Sequence, residues 1–218
     1  MKHILLLLSL LMTGLSLFTA CEEYEETDPE YANWQARNAA YFQQQLSEAK
    51  AAIAQAQATH GEAWEEHCPW RVFRNYSPSP NPDVALKSTD SICVKIVERS
   101  GNVQVPIATD SVRLNFLGRL MPKLSGEDGT IFSHSGVSNR PEDIFSDALG
   151  APAKFAVTGT VAGFATALQH MPLGDRWLII IPQELGYKAQ AIDKCPAYST
   201  LIYEVQLKSI HPVGTSVE

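Results

Sequence analysis

Between Phe155 and Tyr187 the chain reads FAVTGTVAGFATALQHMPLGDRWLIIIPQELGY, and this stretch sets the terms for everything around it. Phe164, Leu168 and Met171 fall at i, i+4 and i+7, which puts an apolar stripe on one face of a helix of about ten residues. Pro172 and Gly174 stop that helix. RWLIII, from Arg176 to Ile181, is a continuous apolar run rich in isoleucine, suited to a strand buried on both faces and ended by Pro182. Two turns of helix are not stable alone in water. The helix must therefore pack on a sheet whose strands come from elsewhere in the chain.

The flanking sequence supplies those strands. SICVKIVERSG ends in a Ser-Gly turn, and DSVRLNFLGRL alternates Val112, Leu114 and Phe116 onto one face. TIFSHS follows a polar connection between Pro122 and Gly129. TLIYEVQLKSI, after the loop KAQAIDKCPAYS, puts Leu201, Tyr203, Val205 and Leu207 on one side. Strands around one short helix predict an α+β domain with an antiparallel sheet, beginning near Asp90. The segment from Gly136 to Pro152 is long for a loop of a compact fold, which marks it for contact with a ligand or partner.

Ahead of this domain, Thr27-Asp28-Pro29-Glu30 has the form of a helix start. From Tyr31 to about Ala58 the residues Trp34, Phe42, Leu46, Ala49, Ile53 and Ala56 recur at helical steps, predicting an amphipathic helix. It would serve as a strut packed on the domain or spacing it from a membrane, or as a homodimer contact. Thr59-His60-Gly61 breaks it, with a second short piece through Trp64. Trp70 to Arg74 alternates large apolar and basic residues like a strand with one exposed face, and Ser77-Pro78-Ser79-Pro80-Asn81-Pro82 forbids regular structure.

The first residues, MKHILLLLSLLMTGLSLFTAC, combine Lys2, an apolar run and small residues before Cys21, the arrangement of a secretory signal. Phe18-Thr19-Ala20-Cys21 resembles a bacterial lipobox, which implies lipidation of Cys21 and a membrane anchor. The acidic EEYEETDPE that follows resembles the surface-export signals of Bacteroidetes lipoproteins; otherwise it is a solvated tether. The net charge of -7 and the lack of a basic stripe exclude nucleic acid as a partner. Cys68, Cys93 and Cys195 remain, so at most one disulfide forms and one thiol stays free. His67-Cys68 has no second pair at ligand spacing, and no metal is expected. Ser133-His134 is no nucleophile and base, because adjacent strand residues face opposite ways. The glycines of TGTVAG do not match a dinucleotide fingerprint.

The order of these pieces resembles the FKBP family of peptidyl-prolyl cis-trans isomerases. DSVRLNFLGRL is similar to V-x-V-x-Y-x-G-x-L, and DGTIFSHS to D-G-x-x-F-D-S-S. FAVTGTVAGFATALQHMPLGDRWLIIIP resembles F-x-L-x-x-V-I-x-G-W-x-x-x-L-x-x-M-x-x-G. PQELGY and CPAYSTLIYEVQL resemble P-x-x-L-A-Y-G and I-P-P-x-x-T-L-x-F-x-V-x-L. The short step from Phe155 to Val161 is similar to that of outer-membrane and periplasmic members. The resemblance implies an FKBP-like antiparallel sheet wrapped around one short helix, preceded by the N-terminal amphipathic helix. With the readings of the preceding residues, the chain is expected to divide into a lipoprotein signal peptide (1–20), an acidic tether (21–30), a helical segment (31–67), a strand and Pro-rich linker (68–89), an FKBP-like domain (90–212) and a tail (213–218).

The resemblance also implies an activity that needs no cofactor, no metal and no nucleophile: rotation about Xaa-Pro bonds of exported proteins, at the cell envelope and with the outer membrane as anchor. By resemblance Phe116, Phe132, Phe155, Val161, Phe164, Tyr187 and Tyr203 line the proline cup, with Ser133 at its edge. Phe164 would be the floor, and the Val161 N–H and the Tyr187 hydroxyl would each hold a substrate carbonyl. Phe116 and Ser133 stand where members have a bonded Tyr and Asp, Phe164 replaces Trp, and Lys188 replaces Gly. Losing both partners of the Tyr-Asp pair avoids stranding one buried polar group, a cost of about 1–3 kcal/mol. These departures imply an apolar pocket with slower turnover than typical members. The alternative is a non-catalytic binding or scaffold lipoprotein of the same fold.

Overall fold

A computed structural model of the chain describes residues 28–77, 81, 83–136 and 145–214. The signal segment, Cys21 and most of the acidic tether lie outside them, as do residues 137–144 of the long loop. The chain divides into two compact units, Met1–Ala32 and Asn33–Glu218. The described residues of the first contain a 3-10 turn, Pro29–Tyr31, in which the Asp28 carboxylate accepts from the Glu30 N–H at 2.9 Å.

The described residues of the second unit form three α-helices, α1 (Trp34–His60), α2 (Trp64–His67) and α3 (Ala162–Leu168). Among the described residues are seven strands, β1 (Trp70–Arg74), β2 (Ser91–Glu98), β3 (Ser111–Arg119), β4 (Ile131–His134), β5 (Ala153–Ala156), β6 (Arg176–Ile181) and β7 (Leu201–His211). All pairings are antiparallel, in the order β1-β2-β6-β7-β3-β4, with β5 also on β3. β7 runs along one edge of β3, so β4 and β5 share the other. β5 covers residues 111–114 and β4 residues 117–119, leaving a gap at Asn115 and Phe116. The candidate site opens beside that gap.

α3 is shorter than the apolar spacing predicts. It ends at Leu168, and the next residues tighten into i→i+3 bonds, His170 N–H to Ala167 O and Met171 N–H to Leu168 O, both 3.1 Å. The cause is Pro172, which disfavours helical backbone at the residue before it. Phe164, Leu168 and Met171 are nevertheless all buried. Gly163 lets α3 lie directly on β2 and β6, since a Cβ there would come within 2.4 Å of Ile181 Cγ2 and 3.1 Å of Ile92 Cγ2.

β6 is covered on both faces, which accounts for its unbroken apolar sequence. Ile179 and Ile181 join the core under α3, whereas Ile180 and Cys93 meet Phe42, Leu46 and Ala49 of α1 on the outer face. Burying side chains the size of Phe42 and Leu46 is worth about 1.5–3 kcal/mol each. Polar contacts fix the start of α1. The buried Asn38 accepts from Thr200 N–H at 2.7 Å and donates to Trp34 O at 2.8 Å, and the Trp34 indole donates to Ser199 Oγ at 3.0 Å. Among the described residues no helix is long and apolar enough to cross a membrane.

Two local expectations are corrected. The signal at Thr27-Asp28-Pro29-Glu30 leads only into the 3-10 turn, and α1 starts at Trp34 because Asn33 takes left-handed backbone (φ 52°), which Asn tolerates better than most residues. Arg71 does not sit on an exposed basic face. It is 8% exposed, and its guanidinium donates to the carbonyls of Glu65, Cys68 and Trp70 at 2.7–2.9 Å, satisfying backbone oxygens around the end of α2. Cys68, Cys93 and Cys195 are all buried and free, and burial pushes the Cys93 thiol up to about 12.

Candidate functional site

Every wall of the site comes from a different element, and the apolar alternation of the strands decides which side chains reach it. β3 contributes Phe116, β4 Ser133, β5 Phe155 and β7 Tyr203. α3 adds Phe164 from its first turn and Val161 at its N-cap, where the backbone is still extended (φ -61°, ψ 150°). Tyr187 follows a 3-10 turn, Gln183–Leu185, that leaves β6 at Pro182. With Gly159 and Thr160 these residues enclose a cavity of about 190 Å³, room for a single small ring and its adjoining amide.

The aromatic rings meet mostly edge to face, the arrangement their quadrupoles favour. Phe116 is T-shaped to Phe155 at 5.6 Å between centroids, and Phe164 to Tyr203 at 4.9 Å. Phe132 does not line the cavity; it stands behind Tyr203, T-shaped at 5.4 Å. Of the eight residues singled out in the sequence, the structure thus brings seven to one cavity and sets the eighth against its wall.

Polar contacts hold the rim. Phe116 donates its N–H to Ser135 Oγ at 2.9 Å, and Ser135 returns its own N–H to Phe116 O at 3.0 Å. Ser135 and the buried Asn115 lead to Asp147, whose Oδ1 accepts from Asn115 Nδ2 at 2.6 Å and whose Oδ2 takes Lys208 Nζ at 2.7 Å. Burial alone would raise the Asp147 carboxyl. The hydrogen bonds from Lys208 and Asn115, with the Lys208 and Arg176 charges, outweigh it and hold the group below its ordinary range. The described end of the long loop is therefore latched to its own sheet, where Phe145 is buried against Leu117.

On the opposite rim, the chain after Tyr187 is pinned by Lys188 N–H to Gln183 O at 3.0 Å and by Tyr198 N–H to Lys188 O at 2.7 Å. Tyr203 brings a buried phenol to the site. Burial, with the neighbouring Tyr187, keeps the Tyr203 hydroxyl protonated far above the usual tyrosine range.

Sequence reasoning missed three features. Gly159 and Thr160 line the cavity through a turn whose sequence carries no side-chain signal. Ser135, two residues beyond the serine that was singled out, is the one bonded to the backbone of Phe116. The hydroxyl of Tyr203 did have a signal, since the T-L-x-F pattern has phenylalanine at that position.

Comparison with known proteins gives these residues a context. Residues 104–208 match the family of FKBP-type peptidyl-prolyl cis-trans isomerases. The chain is 36% identical over 126 residues to the FKBP-type 22 kDa peptidyl-prolyl cis-trans isomerase of Escherichia coli K12, covering 57% of this chain and 53% of that protein. It is 30% identical over 125 residues to the FKBP-type peptidyl-prolyl cis-trans isomerase FkpA of Aeromonas hydrophila, covering 57% and 40%. Outer membrane protein MIP of Legionella longbeachae is 28% identical over 117 residues, covering 53% and 42%. The chain thus spans about half the length, or less, of these curated relatives.

Proposed function

We propose that the protein is a peptidyl-prolyl cis-trans isomerase that acts on Xaa-Pro segments of exported proteins at the cell envelope. The observation that carries this reading is the aromatic cavity formed by Phe116, Phe155, Phe164 and Tyr203, with Val161 and Tyr187 at its mouth. Rotation about an Xaa-Pro bond breaks amide resonance, against a barrier of about 18–20 kcal/mol. A proline ring seated on Phe164 removes water from the adjoining amide, whose planar form then loses part of its solvent stabilisation. The Val161 N–H and the Tyr187 hydroxyl hold flanking carbonyls, so binding to remote atoms supports the twisted form. Each tenfold acceleration requires about 1.4 kcal/mol of preference for that form.

The protein is held at the outer membrane by acylated Cys21, with EEYEETDPE as tether. The similarity to an outer membrane protein supports that location, as does the lipobox-like FTAC. A homodimer through α1 would have to use its exposed Ala- and Gln-rich side, because Phe42, Leu46 and Ala49 are committed to the sheet. The non-catalytic reading draws its support from Phe116 and Ser133, which leave the cavity without the family's Tyr-Asp pair.

Refolding of an exported protein with a proline-limited slow phase tests the proposal. The full chain should accelerate that phase, and a folded Val161→Asp variant should not. Equal rates with and without the protein would contradict it. Labelled palmitate should enter the protein in cells and be absent from Cys21→Ser; label retained by that variant would overturn the anchor.

A further inference from the structure

α3 has little of its own to hold it in place. It is seven residues long, well under the roughly twelve that a helix needs to persist alone in water, and its N-cap is Val161, whose side chain cannot accept a hydrogen bond. Yet its first turn carries Val161 and Phe164 to the cavity, so whatever sets that turn sets the site. Gly163 seats the turn against Ile181 and Ile92 of the sheet. A second hold comes from the side, from β1 and the residue that follows it.

Phe73 and Asn75 stand two residues apart in extended chain and so face the same way. The Asn75 amide nitrogen donates to Thr166 Oγ1 at 2.7 Å and to Ala162 O at 3.2 Å, while its oxygen accepts from the Ser77 N–H at 2.8 Å. The Ser77 bond fixes the amide with its N–H groups toward α3. Thr166 is buried and uses its own proton on Ala162 O at 2.8 Å, which leaves its oxygen as an acceptor for Asn75. Asn75 is itself anchored, because its backbone N–H donates to Asp90 O at 2.7 Å at the entry to β2. Beyond the other end of the helix, the Phe73 ring lies flat on His170, with 4.1 Å between centroids and 6° between planes. This stretch thus grips α3 at its first turn and just past its last, and it lies outside the residues 104–208 that match the family.

We propose that Asn75 is a positioning residue: its side-chain amide fixes the first turn of α3 and thereby places the Val161 N–H and the Phe164 ring at the cavity. One nitrogen bonded to both Ala162 and Thr166 ties two successive turns to the end of β1, and Phe164 lies between them. What Val161 and Phe164 do for a proline-containing substrate rests on the isomerase reading; the brace itself does not.

The test uses the full chain with Asn75→Ala, Asn75→Asp and Thr166→Val, each shown to be folded by thermal melting. Asn75→Asp keeps the acceptor for Ser77 but has no N–H for α3. Both Asn75 variants should lower kcat/KM for an Xaa-Pro peptide by about 2- to 10-fold, the range of one hydrogen bond. Thr166→Val removes the acceptor from the helix side and should fall in the same range; combined with Asn75→Asp it should cost less than the two losses multiplied. Full activity in Asn75→Asp would overturn the proposal, since the turn at Ser77 would then be the whole role of the side chain, as would losses that multiply. A readout without substrate separates this proposal from the isomerase reading. In ¹⁵N-labelled protein well below its melting temperature, the backbone amide resonances of Val161 and Phe164 should shift in both Asn75 variants while that of Leu114 on β3 stays in place, even if the unaltered protein accelerates no peptide. Unmoved Val161 and Phe164 resonances would refute the brace whatever the activity, and an equal shift at Leu114 would overturn it as a general loosening of the fold.

Discussion

Lys188 holds φ at +58°, in the region where L-residues crowd their own Cβ and glycine does not. That conformation turns the chain back after Tyr187 so that Lys188 can bond to both Gln183 and Tyr198. Lys188→Gly should therefore stabilise the fold by up to about 1 kcal/mol, the relieved strain being partly offset by the greater freedom of glycine in the unfolded chain. A loss of more than about 1 kcal/mol in urea denaturation would show that the side chain does more than tolerate the turn. Gly163 makes the opposite case. Gly163→Ala drives a methyl group toward Ile181 and Ile92, and should cost about 1–3 kcal/mol and weaken peptide binding by shifting Phe164. Normal melting and normal binding in that variant would contradict the contact of α3 with β2 and β6 described here.

At the scale of elements, α1 and the described end of the long loop each fasten a part of the site. Asn38 joins α1 to the start of β7, and Asn38→Ala leaves the Thr200 N–H buried without its acceptor. The expected cost is about 2–3 kcal/mol, with faster hydrogen exchange in the segment between Tyr187 and Tyr203. A change below about 0.5 kcal/mol would mean that α1 is held by its apolar stripe alone. Asp147 ties the loop to β3 and β7. Its folded pKa lies below the unfolded value, so the stability it contributes is present above about pH 4 and is lost as the pH falls through the folded value. The carboxylate is partly exposed, and the contribution should stay within about 1 kcal/mol. Asp147→Asn should remove that part of the acid dependence of melting; an unchanged acid limb would contradict the latch.

These elements also show what the sequence made legible. The α3–β6 stretch was readable because helix stripe, Pro172 and isoleucine run agree, and the ordered motifs located Phe116, Phe155, Val161, Phe164, Tyr187 and Tyr203 at one pocket. What covers the outer face of β6 was not readable: the apolar run demands a cover, but only Ile180 against Phe42 and Leu46 identifies α1 as that cover. Arg71 was misplaced because alternation reports side-chain direction, not the carbonyls waiting beyond it. Asp147 was invisible for a related reason. Its partners Asn115 and Lys208 are 32 and 61 residues away, and no local pattern reports such distances.

For the whole molecule, an outer face covered by α1 and an inner face wrapped on α3 leave one aromatic cavity open at the gap between β4 and β5. α1 and the sheet bury apolar side chains against each other, so removing residues 1–60 should expose Cys93 and Ile180 and give a protein that aggregates or melts far lower. A shortened chain with an unchanged melting temperature would contradict that cover. The central claim is that the cavity turns Xaa-Pro bonds. The most direct measurement is the cis-to-trans rate of short Xaa-Pro peptides, varied in the residue before proline, with the chain from Glu22 to Glu218 and with its Val161→Asp variant. The account predicts acceleration by the first and none by the second while both remain folded. No acceleration of any peptide by the folded unaltered protein would contradict it and leave a proline-binding or scaffold module.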